Sequence, residues 1–237
     1  MQKQDLVSII IPTLNEEKHI SCLLSNLQSL TDIEIIVCDG ESSDKTKEIC
    51  SHFPVLFLNS QRGRGVQLNA GAEYASGEIL LFLHADSLIE KGVVDDIRLA
   101  VQMGRLWGCC SLAFNEPTLL FRIIGFFSNL RAKVFGSCCG DQGIYCQRDL
   151  FWKNGGFPKL AFLEDIGISK LLRTQQPPNI IKGKIITSTR RFRAQGIWKT
   201  VIKNQIIKIL YSWGKKPEVL QEWYQGRSKE IICERQL

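Results

Sequence analysis

Four apolar runs divide the first part of the chain: Leu6 to Pro12 (LVSIIIP), Glu34 to Cys38 (EIIVC), Val55 to Leu58 and Ile79 to Leu83, each closed by polar or turn-forming residues. Runs this short and continuous predict strands buried on both faces, as in a parallel sheet. After the first run, Ile20, Leu23, Leu24, Leu27 and Leu30 recur at helical spacing, and Asn15-Glu16-Glu17 is expected to open that helix with acids in its first turn. Ser42, Ser43 and Asp44 are N-cap candidates for a second helix through Cys50. A third helix follows Gly65 and ends near Ser76-Gly77. Strands alternating with helices in this way predict a doubly wound α/β domain with no linker dividing it.

Beyond Glu90 the alternation loosens. Trp107 to Phe114 reads as a strand, and Pro117 to Phe135 as an apolar helix interrupted by Arg122, Arg131 and Lys133, which either packs on the core or lies at a membrane interface. Gly140-Asp141-Gln142-Gly143 forms a loop running into a strand, and Asn154 to Pro158 is a turn cluster. Glu164 and Asp165 suit the first turn of a helix over Ile166 to Arg173. Ile185-Ile186 suggests a further strand. The segment Ile197 to Trp213 is amphipathic, with Trp198, Val201, Ile202, Ile206, Ile209, Leu210 and Trp213 in one stripe that either closes the domain or touches lipid headgroups.

Chemistry enters at the strand ends, which carry Thr13 and Asn15, then Asp39, then Arg62 and Arg64, then His84 and Asp86. Ligands of open α/β sheets collect beyond the carboxyl ends of the strands. Any one of these residues is explained by capping, and Asp86 in particular is a favoured N-cap type. Four in register describe a cleft with carboxylates on one side and guanidinium groups on the other, suited to a metal-bound nucleotide diphosphate. Side chains alternate along a strand, so His84 and Asp86, two apart, would point the same way while Ala85 turns aside, and the two could hold one metal or one substrate group. Gly63 and Gly65 flank Arg64 and would let backbone approach a ligand closely. A dinucleotide-binding fingerprint and a P-loop are both missing.

Composition narrows the picture only slightly. Hydrophobic residues make up 44% of the chain and charged residues 23%, the balance of an ordered soluble domain. No segment reaches the roughly 18 uninterrupted apolar residues of a membrane span. The opening MQKQDLVSIIIPTLNEE meets Asn15 and two glutamates too early for a signal peptide, so residence in the cytoplasm is expected. Nine cysteines with only three histidines and no CxxC spell out neither a zinc ribbon nor a disulfide framework, and reduced, mostly buried thiols are expected. Charge is more informative, because from Ile180 onward 13 Lys and Arg stand against 4 Glu. That stretch is a solvated face, or it meets a phosphate-rich partner or an anionic membrane.

In order along the chain, VSIIIPTLNEE, IIVCDGESSDKT, RGRGVQLNAG, GEILLFLHAD, GDQGIYCQRDLF, GGFP and LEDIGISKLLR resemble the family 2 glycosyltransferases of the GT-A fold, across roughly residues 6 to 213. HAD, GDQ and TRRFRAQGIWKT are most similar to a bacterial subgroup labelled arsenosugar-biosynthesis glycosyltransferases. The resemblance implies a Rossmann-like nucleotide-diphospho-sugar transferase fold, with a mostly parallel central sheet and helices on both faces. It implies one domain over 1–237: a nucleotide-sugar-binding half (6–115), an acceptor-binding half (116–195) and a basic amphipathic C-terminal segment (196–237).

The resemblance further implies a nucleotide-diphosphate sugar donor, a divalent cation (Mn²⁺ or Mg²⁺), inversion at the anomeric carbon and a small-molecule or lipid acceptor. No nucleic-acid partner is implied. Pro12, Thr13, Asn15, Glu16, Asp39, Arg62, Gly63, Arg64, His84 and Ala85 would surround the nucleotide. Asp86 matches the last, metal-binding Asp of the family's D-x-D tripeptide. His84 replaces the usual first acid, and as a ligand it would favour Mn²⁺ over Mg²⁺. Glu164-Asp165 matches the family's catalytic ED pair, with Asp165 as general base. Asp141, Arg190, Arg191 and Arg193 would meet the acceptor or the diphosphate. Two alternatives stand beside this reading: a nucleotidyltransferase, and a catalytically silent nucleotide-sugar-binding protein. Localisation at the inner membrane face, held peripherally by the basic C-terminal segment, also remains open.

Overall fold

The computed structural model describes residues 6–160 and 162–224. Its strands are β1 (Val7–Thr13), β2 (Ile33–Asp39), β3 (Leu56–Asn59), β4 (Ile79–Phe82), β5 (Ser87–Ile89), β6 (Trp107–Phe114), β7 (Ile144–Gln147) and β8 (Asn179–Thr187). They form one sheet in the order β3-β2-β1-β4-β7-β6-β8-β5. The strands β3, β2, β1 and β4 run parallel. The next strand, β7, inserts antiparallel to both β4 and β6, after which β8 is parallel to β6 and β5 closes the edge antiparallel. The parallel half puts four strand ends side by side.

The helices are α1 (Ile20–Leu27), α2 (Thr46–Cys50), α3 (Arg64–Tyr74), α4 (Val93–Gln102), α5 (Leu119–Phe135), α6 (Arg148–Lys153), α7 (Glu164–Leu172), α8 (Arg190–Gln195), α9 (Ile197–Ser212) and α10 (Pro217–Tyr224). Alternation along the strands supplies a core on each sheet face. Ile9, Ile11, Val37 and Leu81 pack with Leu24 of α1 and Ile97 of α4 on one side. On the other side Ile10, Ile36, Leu80 and Phe82 pack with Leu68 of α3 and Leu172 of α7. Both faces are therefore covered, as continuous apolar runs require.

Two expectations about local structure are corrected. The first helix opens at Ile20, not at Asn15-Glu16-Glu17. Asn15 takes a left-handed φ of 56°, and the Glu16 and Glu17 N–H groups donate to Thr46 Oγ1 and Asp44 Oδ2 at 2.9 and 3.0 Å. Those donors tie the loop after β1 to the loop after β2, so the acids belong to a cross-braced turn. The fourth strand stops at Phe82, and His84 and Asp86 lie in the turn before β5. Strand alternation thus does not orient them.

Helix α5 is capped at its start by Thr118, whose hydroxyl accepts from the Phe121 N–H, and ends at Gly136 with φ 61°. Only Phe121, Gly125 and Ala132 of α5 are buried, and Leu119, Phe126, Phe127, Val134 and Phe135 remain 60% to 75% exposed. The stripe read on Ile197 to Trp213 also stays largely outside. Thr200 and Ile207 are the buried positions of α9, while Trp198, Ile202 and Trp213 are exposed. No described helix is long and apolar enough to cross a membrane. Seven cysteines are buried as free thiols and Cys22 is exposed, while Cys233 lies outside the described residues.

Candidate functional site

The carboxyl ends of β1 and β2 are bound into one rigid ledge. Thr13 Oγ1 donates to Asp39 Oδ1 at 2.9 Å, and Ser42 donates to the same carboxylate through its N–H (2.8 Å, to Oδ2) and its hydroxyl (2.5 Å, to Oδ1). Asn15 Oδ1 accepts from the Ser43 N–H at 2.9 Å. Below them Gln67 of α3, itself buried, donates from Nε2 to both the Thr13 and the Cys38 carbonyls at 2.8 Å. The strand-end reading named Thr13, Asn15 and Asp39 and missed Gln67. Its signal was a polar residue one turn inside a helix whose neighbours face the sheet. Gln67→Ala should lower stability by roughly 1–3 kcal/mol in urea unfolding, because two buried carbonyls each lose a hydrogen bond.

The second group of residues converges from distant parts of the chain. Gly63, with φ 136°, turns the chain into α3 and presents Arg64 at its first position. Arg64 Nη1 donates to Glu164 Oε1 at 3.0 Å, with the Glu164 side chain almost wholly buried. Burial raises the Glu164 pKa, Arg64 opposes this, and the neighbouring Asp165 charge adds to it. Asp165 Oδ2 accepts from the Gly140 N–H at 2.8 Å, and its Oδ1 accepts from the Ile166 N–H. A Cβ on Gly140 would stand 2.6 Å from His84 Nε2, so only glycine lets this turn lie on the imidazole. A cavity of about 10 Å³, room for about one water, lies among Arg64, His84, Gly140, Glu164 and Asp165.

Electrostatics in this corner is dense. The His84 pKa is lowered, first by burial and then by Arg64, with Asp86, Asp141 and Asp165 pulling the other way. The pKa of Arg131 is raised: burial opposes its charge, but Cys139, Asp141 and Asp165 outweigh it. Arg131 also fixes the turn at Gly140–Gln142, donating to Cys139 Sγ at 2.8 Å and Gln142 Oε1 at 3.1 Å. Neither Arg131 nor Gln142 was singled out by spacing, because their partners are set by tertiary packing.

Asp86 sits at the mouth, where Arg190 Nε lies 3.4 Å from its Oδ2. Through Nη2 the same guanidinium meets both Glu16 oxygens, at 3.1 and 3.2 Å. Arg190 is thus brought into the strand-end cluster from α8. Arg193 is instead bound to Glu116, which also accepts from Thr189 at 2.5 Å, and Arg191 stacks over the Tyr224 ring at 5.2 Å. The exposed Arg62 pairs with Glu41 at 3.4 Å. The Ala85 side chain packs into the core and can offer a ligand only backbone. Pro12 stands in register with Cys38 on β2, behind the ledge.

No cluster of three or more His, Cys, Asp or Glu among the described residues forms a ready metal cage. The donors do fit a cation shared with a diphosphate, which takes one or two protein carboxylates and completes its shell with phosphate oxygens and water. Asp86 offers one carboxylate, and the buried Asp141 Oδ1 has no hydrogen-bond partner. His84 lies within the field of both.

Residues 8–104 match the family model described as Glycosyl transferase family 2. The N-terminal part of the chain is similar to the family 2 glycosyltransferases over those residues. A PGL/p-HBAD biosynthesis glycosyltransferase of Mycobacterium bovis is 36% identical over 165 residues, covering 64% of this chain and 63% of that one. A UDP-Glc:alpha-D-GlcNAc-diphosphoundecaprenol beta-1,3-glucosyltransferase of Escherichia coli is 34% identical over 90 residues, covering 35% of this chain and 36% of that one. The chain spans about a third of the length of the first curated relatives it matches, 34% and 36%. Among solved structures, a mannosyltransferase of Pyrobaculum calidifontis in complex with GDP-Man and Mn²⁺ aligns at a TM-score of 0.63 and 18% identity, over 90% of this chain and 66% of that one. The shared fold is GT-A, as the family resemblance implied.

Proposed function

We propose that this protein is an inverting, divalent-cation-dependent glycosyltransferase that moves a sugar from a nucleotide-diphosphate donor to an acceptor hydroxyl. The observation that carries the reading is the convergence of His84 and Asp165, far apart in sequence, on the Gly140 turn beside the parallel strand ends. The relatives' donors, a UDP-sugar and a GDP-sugar, set the class to be tried first. The ledge of Thr13, Asn15 and Asp39 holds the base and ribose, with Arg62 and Arg64 along the edge of the nucleotide cleft.

Asp165 accepts the acceptor proton as the acceptor oxygen bonds to the anomeric carbon from the face opposite the leaving group. The bond from that carbon to the diphosphate oxygen breaks, and its electron pair leaves with the nucleoside diphosphate. A divalent cation on Asp86, with His84 and Asp141 beside it, would neutralise the charge growing on the diphosphate. Arg190, already held between Glu16 and Asp86, adds a second positive group there. Glu164 acts as a positioning residue, because its buried carboxylate is engaged by Arg64. The parts 6–115, 116–195 and 196–237 divide as donor half, acceptor half and basic closing segment. HAD, GDQ and TRRFRAQGIWKT resemble the arsenosugar-biosynthesis subgroup, a resemblance that names no acceptor.

The test is a thermal-shift panel of UDP- and GDP-sugars with Mn²⁺ or Mg²⁺, followed by measurement of nucleoside diphosphate release. One donor should raise the melting temperature in a concentration-dependent, metal-dependent way, since a ligand of the native state stabilises it by mass action. Release of pyrophosphate from a nucleoside triphosphate, or donor binding with no hydrolysis or transfer, would replace this reading with one of the two alternatives.

A further inference from the structure

The acceptor side holds a groove of about 910 Å³ between α5, α9 and α7, at the upper end of the range for small-molecule sites. Its lining from the first halves of α5 and α9 is wholly apolar, with Ile123, Ile124 and Phe127 on one wall and Trp198 and Val201 on the other. Arg131 and Lys208 line it from the second halves of the same helices, Lys170 lines it from α7 and Arg173 from just after α7, while among the described residues no Asp or Glu lines it. Ser169, which also lines the groove, stands four residues after Asp165 on α7 and so lies on its side of the helix. Two electrostatic links join this charged end to the site. The Tyr211 pKa is raised, first by burial and then by the Asp165 charge, and Lys208 acts on Cys139 beside the Gly140 turn. The groove is therefore apolar at one end and cationic at the other, and at the cationic end Arg131 also holds the Gly140 turn that donates to Asp165.

Resting on the glycosyltransferase reading, we propose that the groove binds an amphiphilic acceptor, its apolar chain along the first halves of α5 and α9 and its anionic head among Arg131, Lys170, Arg173 and Lys208. Apolar side chains left this exposed on two adjacent helices are the mark of a binding surface. The gradient along the groove selects this occupant. A purely polar acceptor would leave Phe127 and Trp198 facing water, and a neutral lipid would leave Lys170, Arg173 and Lys208 with no carboxylate in the groove's lining to face them. A hydroxyl carried on such a head arrives next to the carboxylate that takes its proton.

The experiment is isothermal titration calorimetry of the full chain with decyl phosphate below its micelle concentration, with inorganic phosphate and decyl maltoside as comparators. Saturable one-to-one binding of decyl phosphate is expected, at least tenfold tighter than either comparator. Phe127→Glu and, independently, Trp198→Glu should weaken it at least tenfold. Both positions are over half exposed, so neither change disturbs the core, and nucleotide-sugar binding with Mn²⁺ should be unaltered in both. Equal affinity in the variants would overturn the proposal, as would inorganic phosphate binding as tightly as decyl phosphate. Two further outcomes would replace the occupant: flotation with anionic vesicles without saturable binding, which makes the face a membrane contact, or self-association in sedimentation velocity that Phe127→Glu abolishes, which makes it a contact between copies. Failure of wild type to bind any nucleotide sugar would count against the glycosyltransferase reading alone, because the decyl phosphate titration is read separately.

Discussion

Asp165→Asn is expected to reduce sugar transfer about 10²- to 10⁴-fold, the usual contribution of a positioned general base, while donor affinity stays near wild type. The two carboxylate oxygens have different structural duties. Oδ1 accepts from the Ile166 N–H at 2.8 Å and Oδ2 from the Gly140 N–H at 2.8 Å. Asparagine keeps the shape and one acceptor oxygen, which can retain the Gly140 bond while the Ile166 N–H loses its acceptor, a local cost, but it cannot take a proton. Rates measured with saturating donor and acceptor, beside donor titrations of the same variant, separate lost chemistry from lost binding. Wild-type turnover in Asp165→Asn would remove the residue from the reaction. The companion change Glu164→Gln should act differently, weakening the hold on Arg64 and disturbing donor binding together with rate.

Asp86→Ala is expected to remove the metal-dependent part of donor binding. The loss should exceed the roughly 10- to 100-fold that deleting a supporting partner costs a metal site. The metal-free part should change far less, because Arg190 keeps both of its hydrogen bonds to Glu16 when Asp86 is gone. Calorimetry with UDP or GDP, with and without Mn²⁺, reads the two parts directly. Identical titrations of variant and wild type would show that Asp86 binds no cation and serves only to pair Arg190.

Much of the fold was legible in the hydrophobic pattern. The first four strands appear within a residue or two of their places, because each is a continuous apolar run covered on both faces. Helix α5 was legible as well, the apolar stretch Pro117 to Phe135 enclosing Leu119–Phe135, while its Thr118 cap and Gly136 stop were not called. What the pattern could not supply was direction. β7 is a four-residue apolar segment like β3, yet it enters antiparallel between β4 and β6, and nothing local distinguishes the two. The start of α1 misled for a related reason. Asn15-Glu16-Glu17 has the composition of a first helical turn, but Ser42 and Asp44 of the loop after β2 and Thr46 at the start of α2 accept its N–H groups instead.

The candidate site divides along the same line. The chain by itself determined which chemical groups stand at the strand ends: Thr13, Asn15, Asp39, Arg64, His84 and Asp86 follow apolar runs, and the termination of a buried strand is written locally. Tertiary structure alone decided which of them meet. Arg64 was drawn onto Glu164, His84 onto Gly140, and Asp86 onto Arg190, each pairing closed by segments far apart along the chain. Tertiary structure also decided that the apolar stripes of α5 and α9 border an open groove instead of a core. Periodicity records that a helix has an apolar face, and only the packing of its neighbours settles whether that face is covered.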